Sequence, residues 1–113
     1  MHELGLMAAL RDQALAAMTR QGGRQVVAMT VRLGELAGVD AAALLQAHAV
    51  VSAGTPAAAA QLRFEPVAAC WFCAGCAAGF SAAAGDCTCP RCGSPSPRLL
   101  QGGELQLLAI EID

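Results

Sequence analysis

Apolar side chains recur with helical spacing over residues 4–20, where Met7, Leu10, Ala14, Ala17 and Met18 share one face and Asp12, Ala16 and Arg20 lie roughly opposite. Glu3 at the start suits the positive end of the helix dipole, and "QGGR" at 21–24 stops the helix. The pattern then changes period. "QVVAMTVRL" alternates, which predicts a strand with Val27, Met29, Val31 and Leu33 on one side and Val26, Ala28, Thr30 and Arg32 on the other. After a "GELAGV" turn, Asp40 can cap a second helix over 41–53, which Gly54 ends.

"AQLRFEP" predicts a short strand with Leu62 and Phe64 on one face and Gln61, Arg63 and Glu65 on the other. A cysteine-rich stretch fills 70–92 and trails off through "GSPSPR", and "ELQLLAIEI" (104–112) closes the chain as a strand. The alternation of that last strand slips a phase at Leu107/Leu108, the mark of a bulge. The order α-β-α-β, cysteines, β implies an α+β fold: two helices on a three-stranded sheet, with an inserted four-cysteine zinc-ribbon subdomain. The expected division is an α/β domain of residues 1–68 with 100–113, and a ribbon over 69–99.

The 113 residues suit one domain with a small excursion. Apolar residues make up 56%, much of it alanine, so the core is modest in bulk. The net charge is −2 and no basic run exists, which removes the electrostatic footprint of a nucleic-acid binder. "MHELGLMAAL" lacks the basic segment and cleavage site of a signal peptide, and no apolar run reaches the ~18 residues of a membrane span. A cytoplasmic, reducing setting follows as the expectation, and there CxxC pairs are metal ligands before they are disulfides.

Six cysteines compete for four tetrahedral positions. Cys89-Pro90-Arg91-Cys92-Gly93 makes a good knuckle, since proline fixes the turn and glycine permits a positive φ. Its partner comes from "CWFCAGC". Cys73-Ala74-Gly75-Cys76 holds small residues inside the turn, whereas Cys70-Trp71-Phe72-Cys73 would hold two bulky aromatics. The expected ligands are therefore Cys73, Cys76, Cys89 and Cys92, with Cys70 and Cys87 as bystanders. Trp71, Phe72 and Phe80 can roof a ribbon too small for its own core. A closed four-thiolate site has no open position to activate water, so this zinc is structural.

Met1, His2 and Glu3 are the other concentration of donors. The Met1 amine and the His2 amide nitrogen close a five-membered ring on a metal, and the same amide with His2 Nδ1 closes a six-membered one. Coplanar nitrogens suit square-planar Ni(II) or Cu(II). From spacing alone the same residues read first as the plain start of a helix, since two-residue motifs are weak. His48 lies on the second helix face with Leu44 and Val51 and reads as a histidine at the edge of the core.

"MHELGLM", "VRLGELAGV" at 31–39, "SAGT" at 52–55 and the C-x2-C…C-P-x-C-G ribbon before a terminal "IEI" together resemble the HypA/HybF family of hydrogenase maturation proteins. The resemblance runs the whole length, in the family's order. It implies a nickel metallochaperone for [NiFe]-hydrogenase assembly, with Ni(II) as transient cargo at Met1-His2-Glu3 and structural Zn(II) in the ribbon. It implies further that His2 is the essential nickel ligand and that Glu3 supports binding or partner contact. The implied partners are a nickel-handling GTPase and the hydrogenase large subunit, with urease served in some bacteria. The rival reading is a zinc-ribbon adaptor for a macromolecular partner, but 70–98 offers only Arg91 and Arg98 against Asp86. No nucleophile–base pair, paired carboxylates or phosphate loop marks an enzyme.

Overall fold

The computed structural model describes residues 2–82 and 85–113. Their elements run α1 (His2–Arg20), β1 (Val26–Gly34), α2 (Ala41–Val51), β2 (Gln61–Val67), β3 (Cys70–Cys73), β4 (Ala78–Ser81), β5 (Arg98–Gln101) and β6 (Leu105–Ile112). The long strands form one three-stranded sheet, ordered β2-β1-β6, and the short ones a second, ordered β4-β3-β5. The chain divides into two compact units. One comprises 1–32, 39–65 and 106–113, and the other 33–38 with 66–105.

In the first unit Met7, Leu10, Ala14 and Met18 of the expected α1 face and Leu44 of the expected α2 face are buried, Ala17 and Val51 are half-buried, and Ala47 is buried beside them. Asp40 caps α2 by accepting from the Ala43 N–H at 2.7 Å, and the helix ends at Ser52, two residues before Gly54. Hydrogen bonds from Val26 N to Pro56 O before the strands and from Glu35 N to Val67 O after them set β2 parallel to β1. Those from Asp113 N to Gln25 O and from Gly34 N to Glu104 O set β6 antiparallel to it. The parallel pair is the β-α-β unit that a helix between two strands allows.

β1 departs from the simple alternation. Val26, Ala28, Met29 and Val31 are buried, whereas Val27 is 45% exposed, so the inward phase changes between Ala28 and Met29. β6 changes phase one residue beyond the expected slip, at Leu108 and Ala109, both exposed. On the solvent face, Arg32 pairs with Glu65 at 3.1 Å and Arg63 pairs with Glu111. Arg63 and Glu111 sit on the two outer strands, so their long side chains reach over β1 to meet.

The second unit contains three strands that the hydrophobic pattern did not announce. Each has four residues, too short for alternation to be read. β3 is central. Trp71 faces Phe80 of β4 and Leu99 of β5, and the Arg98 guanidinium lies 5.1 Å from the Phe72 ring centroid. "GEL" of the turn after β1 belongs to this unit: Leu36 N bonds to Gly102 O at 2.7 Å, and the Glu35 carboxylate accepts from Ala69 N at 2.9 Å. A Cβ on Gly34 would stand 2.1 Å from the Gly102 oxygen, so only glycine fits there. No helix among the described residues is long and apolar enough to cross a membrane.

Candidate metal centre

Two turns carry the ribbon cysteines. β3 delivers Cys73 from its last residue, and the turn before β4 carries Cys76. Cys89 and Cys92 lie on a turn closed by the bonds Gly93 N to Cys89 O, 2.8 Å, and Cys89 N to Ser94 O, 3.0 Å. Both turns place a left-handed residue directly after the second cysteine. In the second it is Gly93 at φ 73°, as its sequence suggested. In the first it is Ala77 at φ 52°, the position where a glycine would carry no strain, while Gly79 lies beyond it in β4.

The two turns bring four sulfurs together. Those of Cys73, Cys76, Cys89 and Cys92 all lie within 4.8 Å of one another. Cys73 and Cys92 are 3.6 Å apart, and Cys76 and Cys89 are 3.9 Å apart. A tetrahedral thiolate site with bonds of about 2.3 Å has edges of about 3.8 Å, so the spacing fits an ion at the centre. Cys70 and Cys87 stand outside the cluster, and all six cysteines are free thiols.

The thiols are electrostatically unequal. Hydrogen bonds from Ser94, side chain first and backbone second, lower Cys92 to about 6. A backbone hydrogen bond at Cys76 is the largest influence lowering Cys73, followed by the hydroxyl of Ser96. Cys76 is pushed up to about 12, chiefly by its hydrogen bond with Cys92 and then by those with Cys73 and Cys89. Four thiolates crowd one another, so one keeps its proton until a cation takes that proton's place.

Ser94 and Ser96 are the residues that sequence reasoning missed, lying in the "GSPSPR" stretch after the last cysteine. Ser96 is 4% exposed, and its N–H bonds to Cys87 O at 2.8 Å. Its hydroxyl stands 3.2 Å from Ser94 O, but its one proton is better used on Cys73 once that sulfur is ionised, because a charged acceptor binds it more strongly. The available signal was position: two small hydroxyls follow the last cysteine closely. Trp71 Nε1 is a buried donor with no partner among the described residues.

The N-terminal donors are separate. His2 is exposed and opens α1, and Glu3 is half-buried in its first turn. Met1, the third residue of the expected chelate, lies outside the described residues. His48 is in the core's edge as expected, 7% exposed. Its Nε2–H donates to the Ala60 carbonyl at 2.9 Å, which leaves Nδ1 to accept from the Ser52 hydroxyl at 2.8 Å.

Residues 1–112 match the family model described as HypA, hydrogenase/urease nickel incorporation, metallochaperone. The chain belongs to the HypA family. A hydrogenase maturation factor HypA from Picosynechococcus sp. is 37% identical over 99% of both chains, and one from Synechococcus sp. is 41% identical over the same shares. The fold matches the solution structure of the nickel metallochaperone HypA from Helicobacter pylori, with a TM-score of 0.69 at 20% identity over 97% of this chain and 96% of that one. A second solution structure of a HypA protein matches with a TM-score of 0.74 at 22% identity, over 99% and 96%. The four clustered cysteines lie within a chain that matches this family over its whole length.

Proposed function

We propose that this chain is a nickel carrier: it binds Ni(II) at Met1, His2 and Glu3 and delivers it during maturation of [NiFe]-hydrogenase. Membership of a family described by nickel incorporation carries the reading. His2 supports it, being an exposed imidazole on the first residue of α1. The first four N–H groups of a helix have no intrahelical partner, so a metal can take the His2 amide nitrogen without breaking a helical bond. Amine, amide and imidazole nitrogens then lie in the plane that low-spin Ni(II) prefers.

Zn(II) on Cys73, Cys76, Cys89 and Cys92 has a structural part in this reading, holding the ribbon together. The cargo goes by way of a nickel-handling GTPase to the hydrogenase large subunit, in the cytoplasm, where six free thiols suit a reducing medium. Urease is a second recipient in the family's description. Nothing in the reading calls for catalysis by the chain itself.

The test is Ni(II) titration of untagged protein by calorimetry and absorption. The native chain takes up one planar, yellow, diamagnetic nickel and releases protons on doing so. His2→Ala and an N-terminal tag both abolish uptake, a C-terminal tag does not, and zinc stays in place throughout. Equal nickel binding by an N-terminally acetylated chain would exclude the amine as a ligand.

A further inference from the structure

α2 carries no Asp, Glu, Lys or Arg from Ala41 to Val51, and His48 faces inward with both ring nitrogens engaged. The outward stripe is Ala42, Leu45, Gln46, Ala49 and Val50, all exposed at helical spacing. Leu45 is 48% and Val50 65% exposed. A surface helix ordinarily spends that face on charges, and an apolar one open to water marks a place of interaction. Gln46 and Val50 also border a groove of about 240 Å³ against the first turn of α1, completed by Glu3, Leu4, Ala43 and Ala47. Glu3 is the groove's single charge, and it enters none of the ion pairs among the described residues.

We propose that this groove and stripe dock an amphipathic helix of a partner protein, its apolar face on Leu45, Ala49 and Val50 and a lysine or arginine against Glu3. Charge selects the occupant. A second copy seating its own α2 stripe in the groove would bring no lysine or arginine, leaving the Glu3 carboxylate against an apolar helix without a counter-ion. A cation on the incoming helix supplies that counter-ion and gains a charge-assisted hydrogen bond. Helix-in-groove recognition needs little else than an apolar stripe and one polar fix on register. The groove adjoins the helix turn that begins with His2, so the partner docks alongside the N-terminal donors. On that last point the inference rests on the nickel-carrier reading.

The probe is an acetylated peptide of about 16 residues, helical, with leucines at i, i+4 and i+7 and one terminal arginine. It is titrated calorimetrically into metal-free, full-length, untagged chain beside a twin carrying glutamate for the arginine. The arginine peptide binds with a Kd below about 100 μM, and the twin binds roughly fivefold more weakly, the worth of one partly exposed charge pair. Glu3→Gln erases the difference between the two. Val50→Glu, on an exposed side chain that the fold does not need, loses both peptides by about tenfold or more, while its circular dichroism and its uptake of one Ni(II) stay native. The proposal is overturned if the native chain ignores the arginine peptide, if Val50→Glu binds it equally well, or if sedimentation finds a native dimer that Val50→Glu dissolves. Peptide binding without any nickel binding would instead remove the carrier reading and leave the docking surface standing.

Discussion

The two units reach order by opposite means. In the unit of α1, α2 and the long sheet, burial is apolar: Met7, Ala14, Met29, Val31 and Leu44 are wholly inaccessible, with Val26 and Ala28 close behind. Fully burying such side chains contributes about 1.5–3 kcal/mol each, enough to offset the ordering of a small domain. In the other unit the buried side chains among the described residues are Ala69, Cys73, Cys89 and Ser96. Its aromatics are only half covered, its β5 is exposed at every residue, and one indole N–H lacks an acceptor. Four sulfurs spaced for one ion are what such a unit has in place of a core. The expectation that follows is that one unit orders without metal and the other needs it.

Removing the ion breaks the comparison most severely. Cys73→Ser should lose zinc and unfold the ribbon, because the metal supplies on the order of 10 kcal/mol or more to small zinc modules. Metal analysis with proton NMR reports both, and the amides of α1 and α2 should keep their native shifts. Zinc retained by Cys73→Ser would refute the ligand assignment.

Leu44→Ala is the reciprocal cut. It opens a cavity under α2 and should cost about 2–5 kcal/mol in denaturant melts, while zinc content holds at one per chain. Zinc lost in step with helix melting would mean that the two units unfold as one.

Proton competition sharpens the contrast within the ribbon. While the ribbon is folded and its ion is leaving, Cys92 at about 6 is a thiolate at neutral pH and Cys76 at about 12 is not. Alkylation during slow zinc extraction, mapped by mass spectrometry, should therefore modify Cys92 before Cys76, and bound zinc should protect both. The linkage signs are opposite. The lowered group stabilises the folded ribbon above the unfolded thiol value, and this is lost as pH falls through about 6. The raised group stabilises it below that value, and this is lost as pH rises through about 12. Equal labelling of the two at pH 7 would contradict the asymmetry.

The smallest expected effect is a gain. Ala77 is exposed and held at φ 52°, so Ala77→Gly removes left-handed strain of about 1 kcal/mol without losing packing. The zinc-bound ribbon should resist a chelator longer, and an unchanged or shorter lifetime would speak against strain at that turn.

What the sequence determined by itself was whatever follows from local chemistry. The period of Met7, Leu10, Ala14 and Met18 names a helix face because any helix puts those positions together, and Asp40 caps because its side chain reaches only three residues onward. Cys89-Pro-Arg-Cys92-Gly93 is a knuckle for the same local reason, and choosing Cys73 and Cys76 over Cys70 needed only the bulk of Trp71 and Phe72. Tertiary structure decided the rest, because those features depend on what is distant in the chain. Val27 turned outward because the phase of a strand is set by the strands beside it, a matter on which alternation in one strand is silent. The four-residue strands exist through pairing across the ribbon, Gly34 is required by an oxygen 68 residues away, and Ser96 became a neighbour of Cys73 only when the chain returned to it. The uncharged face of α2 was visible as letters and His48 read as a core-edge residue, but only packing showed that Leu45 and Val50 turn out, because which side of a helix meets water is settled by what covers the other.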